Sequence, residues 1–171
     1  MMIDGKWLEA ASAKTFDSIN PSSGEVIAKA AEGNSEDINC AVTAARRAFN
    51  GPWSKFTLVQ RQNLLLKLAD LVERNFGELA SLDTLDFGGP ISRTLGNRPR
   101  VVGLLRCYAR RATAIHGETI ENSLPGNCVS FTLKEPVGVV GAIIPWNGPP
   151  GLACGKIGGA LDRACGSCYL G

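Results

Sequence analysis

A chain of 171 residues, with 18 basic and 16 acidic side chains and a net charge of +2, is long enough to bury one real core. So even a balance gives no electrostatic reason to bind nucleic acid or an anionic membrane. No apolar run reaches bilayer-spanning length, and the opening Met-Met-Ile-Asp-Gly-Lys-Trp holds no signal-peptide core, so the expectation is a soluble cytoplasmic protein with six reduced thiols.

Two hairpins are predicted first. Asp4-Gly5 is a tight-turn pair between Ile3 and Trp7, and Phe16 to Ala30 holds two short apolar segments around Asn20-Pro21-Ser22-Ser23-Gly24. From Ser35 to Phe49, Ile38, Val42, Ala45 and Phe49 recur at helical spacing. Asn34 or Ser35 can cap that helix, and Gly51-Pro52 stops it. A second helix begins at Thr57, where Thr-x-x-Gln60 is a capping box, and runs through Leu58, Leu65, Leu68, Ala69 and Val72 with Arg61 and Lys67 in solvent.

A third helix is predicted from Phe76 to about Asp86, with Leu79, Leu82 and Leu85 on one side, ending before Gly88-Gly89-Pro90. Pro99 suits the first turn of a fourth, which turns Val101, Val102, Leu104, Leu105, Tyr108 and Ala112 to the core. Arg98, Arg100, Arg106, Arg110 and Arg111 lie on the same stretch, and Arg106 and Arg110 share a face. A basic ridge for RNA or an acidic partner is one reading; without interleaved exposed aromatics, a solvated helix face is the preferred one. His116, alone near a helix end, reads as a capping or packing residue.

Glu118 to Ser123 and Cys128 to Lys134 flank Leu124-Pro125-Gly126-Asn127 as two strands and a turn. Val129, Phe131 and Leu133 alternate with Ser130, Thr132 and Lys134, the pattern of a half-exposed strand with one face on a core. Next, Val137, Val139, Val140, Ile143 and Ile144 form an apolar β-branched run without alternation, which predicts a strand buried on both faces in a parallel sheet. Ligands of α/β folds sit at the carboxyl ends of such strands, where this chain has Pro145, Trp146 and Asn147.

Glu135-Pro136-Val137-Gly138-Val139-Val140-Gly141 followed by Ile143-Ile144-Pro145-Trp146-Asn147 closely resembles the aldehyde dehydrogenase superfamily. Leu82-Asp83-Thr84-Leu85-Asp86-Phe87-Gly88-Gly89-Pro90-Ile91 is similar to that family's Glu-Thr-x-Asp-x-Gly-Lys-Pro segment, with Gly89 where lysine is usual. The resemblance implies an α/β fold, the amino-terminal part of the aldehyde dehydrogenase fold: helices, the start of a Rossmann-like parallel sheet, and an antiparallel oligomerisation hairpin. On that basis 1–117 is the helical part of the cofactor-binding domain, 118–135 the hairpin, and 136–171 the first sheet strand with a degraded tail.

The resemblance further implies oxidation of an aldehyde to a carboxylic acid with NAD or NADP by a homo-oligomer. Asn147 then takes the catalytic role of oxyanion donor, and Ile143, Ile144, Pro145 and Trp146 line the cofactor. The family's nucleophile context Gly-Gln-x-Cys, its base context Glu-Leu-Gly-Gly and its pyrophosphate-binding glycine turn do not occur here, and Cys154, Cys165 and Cys168 do not match the first.

Beyond Asn147 the likeness decays. Lys156-Ile157-Gly158 and Ala160-Leu161 remain, but Gly155 replaces a tryptophan and Gly159 a proline. Gly151, Gly155, Gly158 and Gly159 would each cost a helix about 1 kcal/mol relative to alanine. The last ten residues lack alternation, which argues against a second sheet strand and for an aggregation-prone product. Cys165-Gly-Ser-Cys168 reads as incidental thiols or as half of a metal or redox site; with one histidine and no second CxxC, no metal site is expected.

Two readings of different class follow: an aldehyde dehydrogenase represented by an incomplete chain inactive alone, or a non-catalytic module that docks on a full-length homologue. A small redox protein built on CxxC would require a bound metal or a reversible disulfide.

Overall fold

The computed structural model describes residues 1–162 and the backbone of 166–170. β1 (Met2–Ile3) and β2 (Lys6–Trp7) pair antiparallel about Asp4-Gly5. Both turn residues have positive φ, 54° and 74°, which is what a two-residue turn compatible with strand twist requires. β3 (Thr15–Ile19) and β4 (Val26–Ala31) form the second expected hairpin.

α1 (Ser35–Asn50) starts on Asn34, whose side chain accepts from the Glu36 and Asp37 N–H groups. Asp37 answers by accepting from the Asn34 N–H at 3.0 Å, and its other oxygen accepts from the Ala11 N–H at 3.0 Å, so one buried carboxylate ties helix start to amino-terminal loop. After a 3-10 turn (Pro52–Lys55), α2 (Leu58–Arg74) opens with the predicted Thr57–Gln60 capping box. Arg61 departs from expectation. It is only 7% exposed, because the 3-10 turn folds Trp53 back onto the first turn of α2. Its guanidinium lies 5.8 Å from the indole centroid and donates to the Trp53 carbonyl at 3.3 Å.

α3 (Phe76–Phe87) ends at Gly88, which adopts the left-handed conformation of a C-cap. Its buried residues are Phe76, Ala80 and Asp83 rather than the leucines: Leu82 and Leu85 are exposed. The apolar stripe follows the 76-80-83-87 spacing, and an aspartate occupies one of its positions. A short α4 (Ile91–Gly96), not anticipated from the sequence, precedes α5 (Arg98–Ala112). α5 buries Val101, Val102, Leu105, Ala109 and Ala112 close to expectation, while its arginines stay outside, Arg106 bridging Asp70 and Glu73 of α2.

β5 (Thr119–Ile120) and β6 (Ser130–Phe131) are antiparallel but short. The expected alternation is inverted: Val129, Phe131 and Leu133 are exposed while Ser130 and Thr132 are half-buried, since no described element covers the apolar face. β7 (Val139–Ile143) corrects a second expectation: Ala142 is buried and Val139 and Val140 are half-buried, but Ile143 is 78% exposed, so one face is uncovered.

α6 (Pro149–Asp162) is a continuous helix despite its glycines. The reason lies in its neighbour, because a Cβ at 158 would stand 2.4 Å from Tyr108 Cδ2. Glycines at 151, 155, 158 and 159 let α6 lie directly against α5, and close packing offsets their helix cost. β8 (Gly166–Leu170) then pairs parallel with β7, Val139 opposite Gly166 and Ile143 opposite Leu170. The expectation of no second strand is therefore overturned. Alternation is a mark of half-exposed strands, whereas parallel strands joined through a helix need none.

The core is α5 sandwiched by α2 and α6, with Ala69, Phe76, Ala80, Val101, Val102, Leu105 and Cys154 in one cluster. No helix among the described residues is long and apolar enough to cross a membrane.

Candidate active site

Asn147 stands four residues beyond β7 and just before α6. Gly148 makes the turn with φ +111°, a conformation that a side chain would strain, and donates its N–H to the Trp146 carbonyl at 3.1 Å. The turn presents exposed Asn147 to a cleft of about 510 Å³. α3 supplies Phe76, Asp83 and Phe87 to its lining, α4 supplies Arg93, α5 supplies Arg100, and α6 supplies Gly151.

The predicted site residues divide between two surfaces. Asn147 lines the cleft, whereas Ile143, Ile144, Pro145 and Trp146 do not. These four continue the end of β7 as a ledge: Ile143, Pro145 and Trp146 are exposed and Ile144 is half-buried. The two surfaces meet through Trp146, whose ring lies 5.6 Å from that of Phe87. Phe87 also carries the Arg93 guanidinium 5.4 Å from its centroid.

Asp83, Arg93 and Arg100 were not singled out from sequence as site residues. Asp83 is 8% exposed, and its Oδ1 meets no hydrogen-bond donor. Burial pushes its carboxyl above the usual value, the nearby Asp86 adds to this, and Arg93 opposes it. The signal was an acidic residue on an otherwise apolar helical stripe.

The ledge is an exposed apolar surface at a strand's carboxyl end, where α/β folds take their ligands. A pyrophosphate does not fit the start of α6. Pro149 and Pro150 lack N–H groups, the Gly148 N–H is used, and the Leu152 N–H points to the Gly148 carbonyl, so few of the donors of a helix-start phosphate site remain.

Cys154 is buried in the core with its thiol pKa pushed up by burial, the opposite of an activated nucleophile. Cys40, Cys107 and Cys128 are exposed and free. The CxxC pair lies outside the described residues: Cys165 is not described, and of Cys168 only the backbone is. Among the described residues no cluster of three histidine, cysteine or acidic side chains could hold a metal.

A profile of the Aldehyde dehydrogenase family matches residues 7–170. The chain is 48% identical over 169 residues to Aldehyde dehydrogenase family 2 member B4, mitochondrial, of Arabidopsis thaliana, covering 98% of this chain and 31% of that protein. It is 47% identical over 169 residues to the mitochondrial benzaldehyde dehydrogenase of Antirrhinum majus, with 98% and 31% covered. The NAD+ complex of aldehyde dehydrogenase from Bacillus cereus superposes with a TM-score of 0.93 at 42% identity, covering 99% of this chain and 34% of that one. The chain thus spans about a third of the length of the relatives it matches. Profile, sequence and fold agree over nearly the whole chain, and it belongs to the aldehyde dehydrogenase family.

Proposed function

We propose that the protein serves the oxidation of an aldehyde to a carboxylic acid with NAD or NADP, this chain contributing the oxyanion donor and one side of the cofactor site. The observation that carries the reading is the exposure of Asn147 into a cleft directly beyond β7. An amide held there can donate a hydrogen bond to the oxygen of a carbonyl under attack, as negative charge builds on that oxygen. Because the turn is set by Gly148 and the start of α6, the donor needs little reorganisation during the reaction.

NAD(P)+, when bound, supplies the hydride acceptor. Ile143, Ile144, Pro145 and Trp146 would bear on its nicotinamide end, excluding water from that side. The thiolate nucleophile and the general base would come from residues with the Gly-Gln-x-Cys and Glu-Leu-Gly-Gly contexts, neither of which occurs in this chain. In this reading 1–117 and 136–171 belong to the cofactor-binding part, and 118–135 to an arm that joins a neighbouring subunit.

The test replaces the amino-terminal third of the Bacillus cereus relative with this chain and then introduces Asn147→Ala. Turnover should fall about 10² to 10³-fold with little change in thermal stability; a loss of less than about threefold overturns the role given to Asn147.

The exposed Val129, Phe131 and Leu133 support a second reading, a non-catalytic module docking on a full-length homologue through its hairpin. A pull-down with such a homologue decides it: no complex, no docking module.

A further inference from the structure

The cleft holds more than Asn147. Its volume, about 510 Å³, suits a small organic molecule of several carbons. Two observations bear on what that molecule is. Asp83 Oδ1 is buried at the cleft without a hydrogen-bond donor, although nearly all buried polar atoms in folded proteins have partners, so this wall is built to meet a ligand. The second is the sign of the charge. Arg93 and Arg100 both line the cleft, and neither joins an ion pair among the described residues.

Of the other arginines on α5, Arg98 faces Glu73, Arg106 bridges Asp70 and Glu73, and Arg111 approaches Asp162, while Arg110 does not line the cleft. Arg93 is braced against the Phe87 ring, which fixes its guanidinium at the cleft wall. Among the described residues the one carboxyl lining the cleft is that of Asp83, which cannot cancel two guanidiniums, and its burial works against its ionisation. The cleft beside the oxyanion donor is therefore net positive.

We propose that this cleft receives an aldehyde carrying a second, anionic group, as in a carboxylate-bearing semialdehyde, and that Arg93 and Arg100 select it. This rests on the reading of Asn147 given above, since the carbonyl end must reach that amide while the anionic end meets the guanidiniums. Guanidiniums suit the anion because their paired N–H groups match two oxygens at once.

Two measurements test it. In the chimera with the Bacillus cereus relative, kcat/KM for succinate semialdehyde should exceed that for butanal by about tenfold or more, and Arg93→Ala with Arg100→Ala should remove the preference. Arg110→Ala, outside the cleft, should leave it intact. Equal or better use of butanal overturns the proposal. A phosphorylated aldehyde in the same assay distinguishes selection for any anion from selection for a carboxylate, and either preference supports the role of the arginines. Separately, calorimetric titration of the chimera should give saturable binding of γ-hydroxybutyrate, lost in the double variant, and none of butanediol. A chimera inactive on every aldehyde, with that binding retained, would count against the Asn147 reading and leave the charge selection standing. Absence of binding overturns the selection.

Discussion

Tyr108 of α5 lies on the backbone of Gly158 of α6, so close that a Cβ at 158 would stand 2.4 Å from its Cδ2. Gly158→Ala must push the ring or the helix aside and should destabilise the protein by about 1 to 3 kcal/mol. Gly151 offers the contrast, because a Cβ there would meet Val101 Cγ2 at 3.7 Å, an ordinary contact. Gly151→Ala should be neutral or stabilising by up to about 1 kcal/mol. Urea midpoints of the two variants check this, and equal effects would refute the packing argument.

Asp83 gives stability a pH dependence whose sign is fixed. Its folded-state pKa is raised above the ordinary aspartate value by burial, so the folded protein holds the proton more tightly than the unfolded chain. The contribution is fully present below the unfolded value and is lost as pH rises through the folded one. Relative to Asp83→Asn, the native chain should therefore be at its best in acid and lose ground toward neutral pH. Paired denaturation curves across that range measure the difference; one that stays flat removes Asp83 as the cause.

Thiol chemistry should follow burial. Cys154, enclosed by the core and with its pKa pushed up by that burial, should react with iodoacetamide far more slowly than Cys40, Cys107 and Cys128, which are exposed. Peptide mapping by mass spectrometry ranks the four. Labelling of Cys154 at the rate of the others would mean that the α5–α6 contact opens readily.

The chain by itself should self-associate. Val137, Ile143, Val129, Leu133 and Phe131 are all well exposed, several of them along strands whose edges lie open among the described residues. Light scattering should detect species larger than the monomer, and a soluble monomer that unfolds cooperatively would contradict this.

The sequence made legible whatever depended on local chemistry. Asn34 and Thr57 mark helix starts because their side chains answer N–H groups within three residues, and Asp4-Gly5 marks a turn because its backbone needs are local. It did not reveal what depends on a distant neighbour. Arg61 reads as a solvated cation until Trp53 folds over it, and the α6 glycines read as weakness until Tyr108 is seen to need the space. Asn147 stood out through the motif around it. Asp83, which shares its cleft, was masked because a carboxylate on a helix is ordinarily taken for surface.

The contact between α5 and α6 also decides how the cleft is assembled. Glycines at 151, 155, 158 and 159 bring bare backbone against Val101, Leu104 and Tyr108, with Cys154 packed into the core between them. Asn147 hangs from the start of α6 and Arg100 from the start of α5, so both stand on one closely packed helix pair. Arg93 instead rides on the six-residue α4, fastened to α3 by the 2.8 Å Thr84–Thr94 hydroxyl pair. The cleft is therefore a joint between two helix pairs, with one guanidinium on each side of it.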